Sequence, residues 1–158
     1  MTRSRGWGLP LVVLLLAVAG GAAYLLVGPD DSDDPFASYC DAVVDHREDI
    51  GAARSAGAET GLLRALPAFE ELADEAPEDI RDEWRIVVDR VSDLRDALDD
   101  AGVDPASYDP EKPPEGLSAD QRKAIRTAAV RLGAEDTAAA LSGVEQQARD
   151  VCKTPLSL

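Results

Sequence analysis

The sequence predicts an all-α protein in which an extracytoplasmic bundle of about four to five helices follows one N-terminal transmembrane helix. Three observations lead to this prediction. Apolar residues recur every three or four positions through most of the chain, which is the period of a helix with one buried face. No segment alternates apolar and polar residues for long enough to form a strand. Near the N-terminus, an uncharged and mostly apolar run is long enough to cross a bilayer.

The apolar run divides the chain into four parts. We expect a cytoplasmic tail at residues 1–8, a transmembrane signal anchor at 9–28, an acidic tether at 29–35 and an extracytoplasmic helical domain at 36–158. As a helix, residues 9–27 would be about 28 Å long, close to the roughly 30 Å hydrocarbon core of a bilayer. Arg3 and Arg5 precede the run, so the positive-inside rule places the N-terminus in the cytoplasm and the domain outside the plasma membrane. The alternative is a cleaved signal peptide with Ala17-Val18-Ala19 as its cleavage site, which would give a secreted protein.

The charge of the chain excludes some classes of partner. Lys and Arg total 16 and Asp and Glu total 31, so the net charge is −15. Only Arg3 and Arg5 are charged before Asp30, which leaves 14 bases and 31 acids, a net charge of −17, after Pro29. Binding to nucleic acid or to an anionic lipid surface needs basic patches, so we expect no nucleic-acid partner.

The two cysteines, Cys40 and Cys152, lie 112 positions apart, near the two ends of the predicted domain. An even count in an exported domain predicts one disulfide bond. The first predicted helix covers roughly residues 36–56, beginning after Pro35. The second is capped by Thr60, and Pro67 is expected to kink it or split it.

The third helix has the clearest pattern. It starts at Pro77 and ends before Gly102, and its apolar residues repeat with steps of four and three over three heptads. These residues are Ile80, Trp84, Val87, Val91, Leu94, Leu98 and Ala101. The fourth helix opens with a capping box at Ser118 and Gln121, and the fifth covers about residues 135–152.

The disulfide constrains the topology, because the first and last helices must then run antiparallel. If all five helices were joined by turns that reverse the chain, the first and last helices would be parallel. The Pro-rich residues 102–117 are long enough to return along the bundle, and we therefore predict a crossover connection that makes the fourth helix parallel to the third.

Few residues are candidates for chemistry. Asp41, Asp45 and Asp49 stack on one face of the first helix, and their oxygens suit Ca²⁺ or Mg²⁺. A rigid row on one helix presents its carboxylates to solvent, however, so a solvated acidic face is the preferred explanation. His46 lacks an identifiable nucleophile partner. Trp84 is expected to be a core residue, and Tyr108 is expected to hold the Pro-rich connection against the helices. Ligand contact is the second interpretation of each residue. Since no nucleotide-binding, metalloprotease or hydrolase motif is present, we expect no cofactor and no enzyme activity.

Three stretches carry a resemblance to a known group of proteins. They are PEDIRDEW at residues 77–84, DAGVDPASYDPEKPPEGLSADQRKAI at 100–125 and GVEQQARDVCKTPLSL at 143–158. With the N-terminal apolar segment, they resemble small actinobacterial exported or membrane-anchored all-helical proteins that carry no assigned function. The resemblance covers roughly residues 40–158 and implies location and helical class, but no activity.

Two functions follow as hypotheses. The first is a membrane-anchored extracytoplasmic helical domain that binds another envelope protein or has an accessory role there. The second is a module that binds a small ligand or a divalent cation through its acidic surface.

Overall fold

The structure, a computed structural model, describes residues 34–109, 111–112 and 114–158. These residues form five helices, α1 (Ala37–Arg54), α2 (Ala58–Asp74), α3 (Arg81–Asp100), α4 (Ala119–Leu132) and α5 (Glu135–Val151). A short 3-10 helix, Pro105–Ser107, lies between α3 and α4, and the described ranges contain no strand. The predicted all-α class is confirmed. The predicted anchor lies outside the described residues, and none of the helices within them is long and apolar enough to span a membrane.

Helix α3 is the central element of the compact unit Pro35–Leu158, and its two halves pack in two separate hydrophobic clusters. The N-terminal half, with Trp84 and Val87, packs against α1, the C-terminal half of α2, and α5. The C-terminal half, with Leu94 and Leu98, packs against the N-terminal half of α2, the Pro-rich connection and α4. The predicted heptad seam is therefore buried along α3, although Ala101 is only partly covered.

The direction of α4 corrects the predicted topology. Near the end of α4, the Arg131 guanidinium lies 3.8 Å from the Asp93 carboxylate in the middle of α3, while Asp120 near its start faces the groove beside Ala97. Helix α4 therefore runs antiparallel to α3. The chain after α3 does not cross over, because it turns at Gly102 and its described residues are held on α2, where Arg64 donates to the Ala106 carbonyl.

The chain does not reverse direction between α4 and α5, and this explains how α1 and α5 come to be antiparallel. Asp136 at the start of α5 lies 3.6 Å from Arg90, and Gln147 near its end donates to Asp79 at 3.0 Å. Helix α5 thus also runs antiparallel to α3, along its other half. Because the chain does not reverse at Gly133, α1 and α5 are antiparallel, as the disulfide requires.

The disulfide itself is confirmed. Cys40 and Cys152 are bonded with their Cα atoms 5.1 Å apart. Beyond it, the C-terminal tail lies along α1: Arg47 donates to the Thr154 hydroxyl, its carbonyl accepts from the Leu158 N–H, and Leu156 is buried.

Several predicted helix ends are correct and others shift. The Ser118–Gln121 capping box is present, with both reciprocal hydrogen bonds. Gly102 ends α3 with φ +70°, and the Val103 N–H bonds back to the Leu98 carbonyl, the geometry of a Schellman motif. Residues 77–80 form a turn, so α3 begins at Arg81 instead of Pro77.

Helix α2 starts earlier than predicted. Gly57, with φ +110°, precedes its first residue, and the Thr60 hydroxyl is no cap because it donates to the Tyr108 carbonyl. Pro67 lies within one continuous helix and does not split it. An exposed position on the outer face of α2 accommodates its ring.

Gly61 allows α1 and α2 to approach closely, and we expect Gly61→Ala to destabilise the fold. A Cβ atom there would lie 2.8 Å from the Ala53 carbonyl oxygen and 3.1 Å from the Arg54 Cα. Backbone atoms cannot move aside as a flexible side chain can. The free energy of unfolding should therefore decrease by about 1–3 kcal/mol. Urea unfolding of the variant measures it.

Gly133→Ala is the matched control. Its Cβ would find ordinary contacts, the nearest at 3.6 Å, and its φ of −82° suits alanine. That substitution should be neutral or raise the free energy of unfolding by about 0.4–1 kcal/mol. Equal effects of the two substitutions would contradict the close α1–α2 approach.

Candidate functional site

The predicted cation row on α1 is spread along the helix. Asp41, Asp45 and Asp49 are exposed and follow one another by one helical turn. Within the described ranges, no group of three or more His, Cys, Asp or Glu side chains is arranged to hold a metal ion. The row is therefore part of an exposed acidic surface.

His46 lies in an open groove of about 490 Å³ between α1 and α2. Its Nε2 is 2.9 Å from the Glu71 carboxylate. The other polar residues that line the groove are Asp49 and Arg64, and its floor is mostly alanine. Among the residues that the structure describes, no hydroxyl or thiol lines this groove, so none of them offers His46 a nucleophile to activate there.

Trp84 and Tyr108 have the structural roles expected of them. Trp84 is fully buried, and its Nε1 donates to the Tyr39 hydroxyl at 3.1 Å. Tyr108 is buried against α2 and α4, and so holds the Pro-rich connection in place. Burial raises the pKa of Tyr108, and the carboxylates of Glu59 and Asp109 raise it further.

A basic helix face is the feature that sequence reasoning missed. Ile125, Ala128 and Leu132 form the buried side of α4. The exposed side carries Arg122, Lys123, Arg126 and Val130, which we call the basic face of α4. Helix α4 holds four basic residues and one acid, whereas residues 34–158 together hold 14 basic residues and 28 acids.

The cations of this face have no acidic partner within the part of the chain that the structure describes. Arg122 donates only to the Leu117 carbonyl, and neither Lys123 nor Arg126 makes an ion pair or hydrogen bond there. By contrast, Arg90 pairs with Asp93 and Asp136. The exposed Arg54, Arg85 and Arg149 also pair with carboxylates. Exposed arginines that bond only to backbone carbonyls occur singly elsewhere, at Arg64 and Arg81. Three cations without an acidic partner on one helix face are therefore a distinct charge feature.

An apolar pocket adjoins the basic face. It has a volume of about 270 Å³ between the Pro-rich connection and α4. Tyr108, Leu117 and Ile125 are among its apolar lining residues, and Arg122 and Arg126 also line it. In addition, Val130 is 67 % exposed on the same helix. The face thus combines positive charge with accessible apolar surface.

An oppositely charged face lies on α1. It consists of Asp41, Val44, Asp45, Glu48 and Asp49, and we call it the acidic face of α1. All five side chains are exposed, Val44 to 47 %. The four carboxylates make no ion pair within the described ranges, and like charges one turn apart repel one another.

The sequence contained a signal for the basic face. The run Arg122-Lys123-Ala124-Ile125-Arg126 places two arginines one turn apart on a helix whose capping box fixes its start. The total charge of −15 conceals this local excess, because the average over the chain says nothing of one helix. Comparisons with protein-family models, with curated proteins and with solved structures found no match for this chain.

Proposed function

We propose that this protein is a membrane-anchored extracytoplasmic domain that binds another protein, and that the basic face of α4 docks on an acidic surface of that partner. The unpaired cations of α4 in an otherwise acidic domain are the observation that carries the proposal. The apolar segment at residues 9–27 supports the anchor, and the Cys40–Cys152 disulfide is typical of an oxidising compartment outside the cytoplasm.

The composition of the face favours a protein partner. Protein interfaces combine an apolar centre with a polar rim and are enriched in arginine and tyrosine. Val130 and the pocket beside Tyr108 supply the apolar part, and Arg122 and Arg126 the charged part. The 14 excess acids of residues 34–158 oppose the approach of a nucleic acid or an anionic bilayer, both of which carry negative charge over a larger area.

We expect a photo-crosslinking residue at Val130, in the full-length chain in intact cells, to form a protein adduct. The same residue at Ala139, an exposed position on α5, should form none. Arg122→Glu with Arg126→Glu should reduce the adduct at least tenfold, because the charge complementarity reverses. Fractionation of the same cells, with mass measurement of the chain, tests the anchor against a cleaved signal peptide.

The lysine versions of these substitutions are the control. Arg122→Lys with Arg126→Lys retains the charge and should retain most of the adduct. Both variants should melt at the temperature of the wild type, because the two side chains are exposed. An adduct at Val130 that persists after charge reversal, or one of equal yield at Ala139, would contradict the proposal.

A further inference from the structure

The acidic face of α1 and the basic face of α4 complement each other, and we infer that the partner is a second copy of this chain, with α1 of one copy docked on α4 of the other. The inference rests on the proposed function and specifies its partner. It also gives a role to the aspartate row on α1, which the fold leaves unpaired.

The two faces match in length and spacing. Asp41, Asp45 and Asp49 repeat every four residues, as do Arg122, Arg126 and Val130. In each set the first and last residues are eight positions apart, about 12 Å along a helix. Two of the three carboxylates can therefore lie against the two arginines without a change of register, with the third beside Val130.

The exposed valines set the relative direction of the helices. Val44 and Val130 are two of the three large hydrophobic side chains that are exposed within the described residues, the third being Leu158. In an antiparallel alignment, Asp49 faces Arg122, Asp45 faces Arg126, and Val44 lies within one turn of Val130. A parallel alignment with the same number of charge pairs moves the valines further apart, so the antiparallel arrangement buries more apolar surface.

Burial of these valines gives the contact the anatomy of a small interface. Val44 and Val130 would form its apolar part, and the two charged pairs would lie beside them toward the end of α1. Exposed charge pairs are each worth only about 0.2–1 kcal/mol, so the contact is weak between free molecules. Two anchored copies share one membrane surface, which raises their effective concentration and allows a weak contact to form.

Net charge limits the conditions under which the contact forms. Two chains of charge −15 repel at long range, but at physiological ionic strength the Debye length is about 8 Å. Pairs in direct contact are screened less than the distant charges. Self-association should therefore be strongest at intermediate salt and decrease both at low salt, where repulsion acts further, and at high salt.

The geometry does not require a particular assembly. If α1 of each copy meets α4 of the other, the contact is reciprocal and closes as a dimer. If each copy uses one face for one neighbour, the contacts continue as a chain of molecules. Both assemblies contain the same α1–α4 pair, so a crosslink between the two helices detects either one.

The test uses two full-length copies with different epitope tags, expressed in one cell. The first copy carries the photo-crosslinking residue at Val130. We expect an adduct that contains both tags, with the crosslink mapped to residues 41–49 of the second copy. Arg122→Glu with Arg126→Glu in the first copy should reduce this adduct at least tenfold.

A charge swap makes the test specific. Asp45→Arg with Asp49→Arg in the second copy should restore the adduct to the charge-reversed first copy. Asp99→Arg with Asp100→Arg is the matched control, because it changes the net charge equally at two exposed acids near the end of α3. The control pair should restore nothing. Restoration by the control pair, or no restoration by the α1 pair, would overturn the α1–α4 contact.

The outcomes separate this inference from the proposed function. A charge-dependent adduct at Val130 with a different acidic protein, without a two-tag species, would overturn self-association and support the proposed function. An adduct with lipid alone, or no adduct, would overturn both. Melting of each variant at the wild-type temperature assigns a lost adduct to the surface instead of to unfolding.

Discussion

Reduction of the Cys40–Cys152 bond is expected to remove a large part of the stability of the domain. The bond closes a loop that separates the two cysteines by 112 positions and joins the start of α1 to the end of α5. In the chain-entropy account, a loop of about this length contributes on the order of 4.7 kcal/mol by restricting the unfolded chain. Since small domains are stable by only about 5–15 kcal/mol, the reduced protein should be close to unfolding at physiological temperature.

Urea unfolding of the full-length chain, with and without reductant, measures this effect. Trp84 fluorescence reports the core in a Trp7→Phe background. The double variant Cys40→Ala, Cys152→Ala should behave as the reduced protein does, because both lack the crosslink. A transition midpoint that is unchanged by reduction would show that the crosslink contributes nothing to the stability of the domain.

The disulfide also shows why the sequence predicted the helices better than their directions. It established that α1 and α5 are antiparallel, and hence that one link in the chain fails to reverse direction. The Pro-rich connection has the length for that role. In the structure the short link at Gly133 is the one that does not reverse the chain, because α4 and α5 each cover one half of α3.

Features that depend on nearby residues can be predicted from the sequence more easily than the directions in which helices pack. The seam of α3 and the capping box of α4 depend on residues within a few positions of one another, and both were predicted. The choice between two links depends on which half of α3 remains uncovered, which no local pattern records. The same holds for Thr60, which looks like a cap but bonds to Tyr108, 48 positions away.

The same distinction applies to the candidate site: its local spacing was predicted, but its tertiary environment was not. The aspartate row of α1 was recognised from its spacing, but interpretation as a cation site required side chains to converge, and those on one helix face diverge into solvent. The basic face of α4 was missed because total charge was used to exclude partners. Whether a cation is paired depends on neighbours distant in sequence, as Arg131 and Asp93 show.

Trp84→Ala is expected to be the most damaging single core substitution. The indole is fully buried where α1, α2, α3 and α5 meet, and its ring centroid lies 5.8 Å from that of Phe69. Truncation of a buried tryptophan costs about 3–5 kcal/mol through lost burial and the cavity that remains. It also removes the donor to the buried Tyr39 hydroxyl. Thermal and urea unfolding, followed by circular dichroism, measure the loss.

A double-mutant cycle separates the packing of Trp84 from its hydrogen bond. Trp84→Phe retains an aromatic ring but removes the N–H, and Tyr39→Phe removes the hydroxyl that accepts it at 3.1 Å. Each single variant leaves one buried polar group unpaired, whereas the double variant leaves neither. The double variant should therefore be more stable than the sum of the single losses implies, by about 0.5–1.5 kcal/mol. Strict additivity would mean that the bond contributes nothing and that the indole stabilises the four-helix junction through packing alone.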